Sequence, residues 1–179
     1  MNKMQPKLNL IAAACSTGGI GYKGDLPWRL KSEMAYFTKM TKETENTSKK
    51  NAVIMGRKTW DSIPLKYRPL ADRISIVLTK QNLNLGEEAK VCNSLEAAID
   101  LIKSSPFSDS VEKVWAAMQS PYCHRIYMTD IMKEFECDTF FPPIDKTAFQ
   151  LVTDSAVPQE EQEENGIRFK YQIYEKVTG

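Results

Sequence analysis

The chain of 179 residues holds one histidine, His124, and four cysteines, Cys15, Cys92, Cys123 and Cys137, none of them in a C-x-x-C pair. A single imidazole removes the commonest general base and most metal sites. Four scattered thiols exclude a disulfide scaffold and read as reduced, mostly buried side chains of a cytoplasmic protein. Cys123-His124 beside Cys137 lacks a fourth ligand and the usual spacing, so no metal is expected. The longest apolar run, Leu10 to Cys15, is six residues, too short for a membrane span or a signal-peptide core. Lys plus Arg number 24 against 23 Asp plus Glu, a net charge of +1. That balance offers no basic excess for nucleic acid or an anionic membrane, and neither partner is expected.

What is present is globular. A hydrophobic share of 42% and a charged share of 26% exclude disorder, collagen and coiled coil. The length suits one domain, residues 1–179, able to bury roughly 70% of its unfolded surface without a covalent staple.

Leu8 to Cys15 reads as a strand buried on both faces, ending at Ser-Thr-Gly-Gly. Ser16 to Pro27 is a glycine-rich loop. Arg29 to Thr41 is helical, with Leu30, Met34, Phe37 and Thr41 at i, i+4, i+7 and i+11. Lys42 to Asn51 is a polar loop. Ala52 to Met55 is a strand, Gly56 a turn, Arg57 to Ser62 a short helix, and Arg73 to Leu78 a strand. A brief strand ends at Val91-Cys92, and Asn93 with Glu96 forms a capping-box pattern before a helix whose face is Leu95, Ala98, Ile99 and Ile102. Val114-Trp115 and Arg125 to Thr129 read as strands. Ile167, Phe169, Tyr171 and Ile173 alternate with polar residues, the mark of a half-solvated antiparallel strand, paired with Phe149 to Thr153 across an acidic loop, Glu160 to Gly166. The expected architecture is α/β: a mixed, mainly parallel sheet flanked by helices and closed by a C-terminal antiparallel hairpin, with ligands at the carboxyl ends of its strands.

Gly19-Ile20-Gly21-Tyr22-Lys23-Gly24 matches G-x-G-x-x-G after a strand, with Glu43 about twenty residues on. The Rossmann reading fails because those glycines open no helix: Asp25-Leu26-Pro27-Trp28 follows, and Pro27 turns Leu26 away from helical angles. The segment is a surface connection or, given its apolar end, a lid over a pocket. Glu33 flanks the apolar stripe of its helix. A carboxylate held there takes a proton, joins a Lys or Arg in a structural ion pair, or faces a ligand with an amidine-like N–H edge. Gly56 followed by Arg57-Lys58-Thr59 at a helix start is an anion site through free N–H groups, the helix dipole and adjacent cations. Further strand ends at Thr79-Lys80 and before Asn93 suit a ligand with several phosphates. Arg73 opens a strand, as half of an interstrand ion pair or as the partner of a ligand carboxylate.

These residues resemble the dihydrofolate reductase family. Gly19-Ile20-Gly21 with Gly24-Asp25-Leu26-Pro27-Trp28 is similar to its active-site loop, Glu33-Met34-Ala35-Tyr36-Phe37 to its pterin-binding helix, and Val53-Ile54-Met55-Gly56-Arg57-Lys58-Thr59-Trp60 with Ser62-Ile63-Pro64, Arg68-Pro69-Leu70 and Arg73 to its central signature. Phe135-Glu136, Asp138-Thr139-Phe140-Phe141-Pro142 and Tyr174-Glu175-Lys176 match its later segments. No fused thymidylate synthase is expected.

The resemblance implies NADPH-dependent reduction of dihydrofolate by a cytoplasmic monomer that antifolates inhibit. It assigns Glu33, Leu26, Trp28 and Thr129 to catalysis, with Thr129 supporting Glu33. It assigns Ile11, Ala12, Phe37, Ile63, Pro64, Tyr67, Leu70 and Arg73, together with Glu33, to the folate. Ala13, Gly19, Ile20, Gly21, Gly24, Asp25, Gly56, Arg57, Lys58, Thr59, Thr79, Lys80 and Asn93 fall to the cofactor. In the family the Val-Trp strand runs on to Gly-Gly and a helix; here Val114-Trp115 runs into Ala116-Ala117-Met118-Gln119, an apparent internal deletion that removes an anion-binding turn. A rival reading is therefore a non-catalytic folate- or antifolate-binding protein with a crippled cofactor site. A third, a reductase of the same fold acting in riboflavin synthesis, is opposed by Glu33 beside Tyr36-Phe37.

Overall fold

The computed structural model describes residues 7–86, 89–116 and 123–178. The chain divides into two compact units, Met1–Leu8 with Thr38–Met118, and Asn9–Phe37 with Gln119–Gly179.

The first unit is built on parallel strands. β3 (Lys50–Gly56) pairs in parallel with β4 (Arg73–Leu78) on one side and β6 (Val111–Ala116) on the other, and β4 pairs in parallel with β5 (Ala89–Cys92). Ala52 to Met55 is an unbroken buried run, as a central parallel strand covered on both faces requires. α2 (Arg57–Ser62) follows β3 directly, and α3 (Leu95–Lys103) follows β5. α3 buries Ala98, Ile99 and Ile102, the stripe its sequence spacing predicts. Its cap differs from the expectation: Ser94, not Asn93, is the N-cap, and its hydroxyl accepts from the Ala97 N–H at 3.0 Å. A short helix, α4 (Phe107–Ser110), leads into β6.

Asn51, a polar residue with no accessible surface, ties this unit together. Its amide donates to the carbonyls of Thr41 and Glu43, both at 2.9 Å, and its carbonyl oxygen accepts from the Lys113 N–H at 3.1 Å. Every polar group is paired, so burial carries no unmet desolvation cost. The segment Lys42 to Asn51, expected as loop, enters β3 at Lys50.

The second unit is mainly antiparallel. β1 (Leu8–Cys15) neighbours β7 (Cys123–Ile131), and β7 pairs antiparallel with β11 (Ile167–Lys176) from Arg125–Glu175 to Ile131–Phe169. Ile167, Phe169, Tyr171 and Ile173 all point into the core, confirming the alternation. β11 has two further partners: its C-terminal half pairs with β9 (Phe149–Val152), and its start with β10 (Gln162–Glu164). The acidic segment expected as a loop is thus half strand. Asn165 and Gly166, at φ 53° and 74°, form the two-residue turn, the Asn-Gly pair favoured where both central residues need left-handed angles.

α1 (Lys31–Lys42) buries Glu33, Tyr36 and Thr41 but leaves Met34 half exposed. The stripe read through Met34 is therefore rotated by about a residue, because the carboxylate itself lies on the inward face. Tyr36 stacks on Tyr171 of β11 at a centroid distance of 3.9 Å.

Candidate active site

Glu33 is 7% exposed. Among the described residues it joins no ion pair, and the hydrogen bond it makes is with the Thr129 hydroxyl, which donates to Oε1 at 3.3 Å. Burial pushes its carboxyl up to about 7, against the lowering effect of that hydroxyl. The ion-pair alternative therefore does not hold. A carboxylate at the edge of ionisation, with oxygens unpaired by any cation, is equipped to meet an uncharged or cationic N–H edge. Thr129 sits in the middle of β7, opposite Tyr171, so the sheet itself holds the hydroxyl in place. Tyr171, Tyr36 and Tyr127 surround this region, and burial raises the phenols of Tyr36 and Tyr171.

Arg73 is 9% exposed and also lacks an acidic partner among the described residues. Its Nη1 donates to Thr41 Oγ1 at 2.9 Å and its Nε to the Ala71 carbonyl at 2.9 Å. The adjacent Asp72 pairs instead with Lys42 at 3.1 Å. Desolvation lowers the Arg73 guanidinium from its ordinary value, with Asp72 opposing. A buried cation held by neutral oxygens is suited to an anion from outside, because among the described residues no carboxylate pairs with it. The expected alternative, an interstrand ion pair, is not what the structure contains.

The strand ends collect as the sequence suggests. Gly56 at the end of β3 is level with Leu78 at the end of β4, and Leu78 is level with Cys92 at the end of β5. Arg57, Thr79 and Asn93 are the next residues of three neighbouring parallel strands, so one sheet edge gathers them. Gly56 caps α2 without any side-chain hydrogen bond, leaving the first N–H groups to other acceptors. Lys58, Thr59, Lys80 and Asn93 are exposed. Arg57 Nε lies 3.4 Å from Asp61 one turn along α2, a surface pair weak enough to yield to a phosphate. This donor set of backbone N–H groups, hydroxyls and cations fits the phosphates of a dinucleotide. On the other side of β3, Ala116 is level with Ile54. The continuation, where the deletion is read, lies outside the described residues.

The Ser16 to Trp28 loop is more ordered than a surface connection. Gly19–Gly21 is a strand, β2, paired antiparallel with β8 (Thr139–Phe140). Asp138 N–H donates to the Gly21 carbonyl and Asp138 Oδ2 accepts from the Lys23 N–H, both at 2.9 Å. Lys23 and Gly24, at φ 50° and 77°, turn the chain between Tyr22 and Asp25. Asp25 is held by Arg29 at 2.8 Å and by the Leu26 N–H. Trp28 is 2% exposed and packs edge-on to Phe135 at 5.6 Å, yet its Nε1 has no partner among the described residues. A buried indole N–H of this kind suits a bound water or a ligand acceptor.

The remaining sequence-read residues divide by exposure. Ile11 is buried in β1; Ala12, Ala13, Ile20, Leu26, Phe37, Ile63 and Leu70 are half-buried; Pro64 and Tyr67 are exposed. Cys123, His124 and Cys137 make other contacts: Cys123 Sγ donates to the Arg125 carbonyl, His124 Nε2 lies 3.5 Å from Glu175, and Cys137 Sγ lies 3.9 Å from Cys15. No metal-binding group occurs among the described residues. Sequence reasoning missed Asn51, Thr41 as the Arg73 partner, and Glu164, whose carboxylate caps α1. No local signal marks any of the three, since their partners lie beyond the reach of a turn or a helix repeat.

Comparison with known proteins agrees over almost the whole chain. A family model described as dihydrofolate reductase matches residues 7–176. The dihydrofolate reductase of Aedes albopictus is 48% identical, over 96% of this chain and 98% of that protein. That of Heliothis virescens is 49% identical, over 97% and 99%. The solved structure of the Schistosoma mansoni dihydrofolate reductase superposes with a TM-score of 0.85 at 36% identity, covering 97% of this chain and 100% of that one. The fold class is the expected mixed α/β sheet with antiparallel strands at the C-terminus, and no helix of the described residues is long and apolar enough to cross a membrane. With a buried Glu33 that meets no cation and a buried Arg73 that meets no counter-ion among the described residues, and with a strand edge rich in phosphate donors, the chain belongs to the dihydrofolate reductase family of nicotinamide-dependent oxidoreductases.

Proposed function

We propose that the protein reduces 7,8-dihydrofolate to 5,6,7,8-tetrahydrofolate with NADPH. The observation that carries this reading is the buried Glu33, whose carboxylate meets a hydroxyl and no cation. Two oxygens in that setting accept the 2-amino group and ring N3 of a pterin together, which orients the ring. Thr129 holds Oε1 in place. Ile11, Ala12, Leu26, Phe37, Ile63, Pro64, Tyr67 and Leu70 wall the folate, and Arg73 receives the α-carboxylate of its glutamate tail.

NADPH supplies the hydride that the pterin accepts at C6. Ala13 and Ile20 hold the nicotinamide carboxamide through backbone groups, with Gly19, Gly21, Gly24 and Asp25 shaping the loop beside it. Gly56, Arg57, Lys58 and Thr59 take the phosphates. Arg57, Thr79 and Lys80 meet the 2′-phosphate, which is why NADPH is preferred to NADH. Asn93 stands where the family often has another Arg and makes that preference weaker. Glu33, poised between its two protonation states near neutral pH by burial, polarises the pterin as the carboxylate and relays a proton to it through water ordered by Trp28. The chain acts as one domain, as a cytoplasmic monomer, with no nucleic-acid partner.

The test is loss of NADPH absorbance on adding dihydrofolate to the purified chain. Steady consumption that an antifolate abolishes supports the reading. Tight antifolate binding without any NADPH consumption overturns it in favour of the non-catalytic folate-binding protein.

A further inference from the structure

Two thiols that the reductase reading does not use meet at the root of the Ser16 to Trp28 loop. Cys15 is the last residue of β1, and Cys137 lies two residues before the start of β8. Their sulfurs lie 3.9 Å apart, essentially in van der Waals contact. Space has been made for them: a Cβ added to Gly19 would overlap Cys137 Sγ and lie 3.2 Å from Cys15 Sγ. Cys15 Sγ is also 3.2 Å from the Thr17 hydroxyl. The backbone on both sides is held by hydrogen bonds from Gly18 N to the Cys15 carbonyl at 2.8 Å and from Asp138 N to the Gly21 carbonyl at 2.9 Å. Cys15 is buried, whereas Cys137 is half-buried between the exposed Glu136 and Asp138, so a small solute approaches the pair from the Cys137 side. All four cysteines are free thiols.

We propose that Cys15 and Cys137 form an oxidative modification site, at which a peroxide converts the two thiols into a disulfide joining the end of β1 to the start of β8. The chemistry favours Cys15 as the attacking sulfur. Burial raises its thiol, but the Thr17 hydroxyl and the backbone N–H groups of Thr17, Phe135 and Gly19 outweigh that and bring it down to about 7. Burial and the neighbouring Cys15 sulfur push Cys137 the other way, so it keeps its proton. The Cys15 thiolate attacks one peroxide oxygen. The O–O bond breaks, hydroxide leaves, and a sulfenic acid remains on Cys15. The Cys137 sulfur then attacks Cys15 Sγ, the S–O bond breaks, and the oxygen leaves as water with the Cys137 proton. Both sulfurs are oxidised by one electron each and the peroxide is reduced by two. Closing from contact to a bond of about 2.05 Å is a movement of about 2 Å, within reach of the two side-chain torsions.

Cys92 and Cys123 provide the internal control. Burial raises both thiols, Cys123 to about 11, so they remain protonated and slow to oxidise. The experiment exposes the purified full chain to hydrogen peroxide, removes the peroxide, blocks remaining thiols with N-ethylmaleimide after unfolding in guanidinium, and reads intact mass and a non-reducing peptide map. The expected result is loss of two hydrogens, one cross-linked peptide pair containing Cys15 and Cys137, maleimide on Cys92 and Cys123, and full reversal by dithiothreitol. Cys15→Ser and Cys137→Ser should each abolish the cross-link, and Cys137→Ala repeats the second arm should serine disturb packing. Four alkylated cysteines after oxidation, a cross-link involving Cys92 or Cys123, or sulfinic acid on Cys137 with Cys15 still free would overturn the proposal. The readout is mass and not turnover, so it stands or falls apart from the reductase assignment.

Discussion

Glu164 and Ser32, 132 residues apart in the chain, form the N-terminal cap of α1. Glu164 Oε1 accepts from the Ser32 N–H at 2.9 Å and from its hydroxyl at 2.6 Å, while Oε2 accepts from the Lys31 N–H at 2.6 Å. A single carboxylate from the last residue of β10 thereby satisfies the opening donors of the helix that carries Glu33, at the end where the dipole favours negative charge. The Ser32 hydroxyl is first among the groups that hold the Glu164 carboxyl below its ordinary value. Glu164→Ala should lower the thermal midpoint by a few degrees and raise KM for dihydrofolate more than it lowers kcat, because the helix start loses its anchor. The contribution is present above the unfolded-state carboxyl value and is lost as pH falls through the lowered folded value, so the variant and the parent should converge in acid denaturation. Unchanged melting would show that the cap is ornamental.

The carboxyl of Glu33, raised to about 7 by burial, makes the folded state bind a proton that the unfolded state has released. Stability is therefore full below about pH 4.5 and falls as pH rises to about 7, by about 3 kcal/mol in all. Glu33→Gln removes that slope. Urea denaturation at pH 8 should find the variant up to about 2 kcal/mol more stable than the parent, with turnover lower by roughly 10²–10⁴-fold. NADPH affinity should be untouched. Equal turnover in the variant would refute the pterin role.

Thr129→Val keeps the shape of a residue that is 1% exposed but removes the donor to Glu33 Oε1. That hydroxyl is the group holding the Glu33 carboxyl down, so its loss should move the alkaline limb of the kcat/KM profile to higher pH. Stability at pH 8 should fall by about 1–3 kcal/mol, as for a buried acceptor left unpaired. A profile identical to the parent's would mean that the hydroxyl does not reach the ionising oxygen in solution.

Arg73 is held by Thr41 and by the Ala71 carbonyl, with no ion-pair partner among the described residues. Arg73→Met should raise KM for dihydrofolate roughly ten- to hundredfold, the value of a charged hydrogen-bonded contact, and leave KM for NADPH alone. The proper control is a folate fragment lacking the glutamate, against which parent and variant should perform equally. A uniform loss on both substrates would place the carboxylate elsewhere.

Gly19 sits where the Cys137 side chain leaves no room for a Cβ. Gly19→Ala should cost about 1–3 kcal/mol through overpacking at a backbone position that is otherwise ordinary. In a Cys137→Gly background, which removes both the Sγ and the Cβ that the new methyl would strike, the same change should cost little. Failure of the second change to rescue the first would show that the glycine serves something other than the sulfurs.

Much of this was legible from local pattern. The bounds of α2 and β4, the buried run of β3 and the alternation of β11 follow from period and composition alone. Glu33 was visible because a carboxylate within an apolar stripe contradicts the pattern around it. The same pattern misjudged Met34, since period reasoning assumes that the apolar residue faces inward and here the acid takes that place. The Asn-Gly turn before β11 was present in the letters but hidden by the acidic run preceding it.

Sequence by itself determined the family and the main strands and helices, because those depend on near neighbours along the chain. Only the tertiary structure decided that Glu33 and Arg73 are buried without ionic partners among the described residues, that Glu164 grips the start of α1, and that Cys15 lies against Cys137. These facts concern what surrounds a group in three dimensions, and the free energy of a charge or a thiol is set by that surrounding and not by its position in the chain.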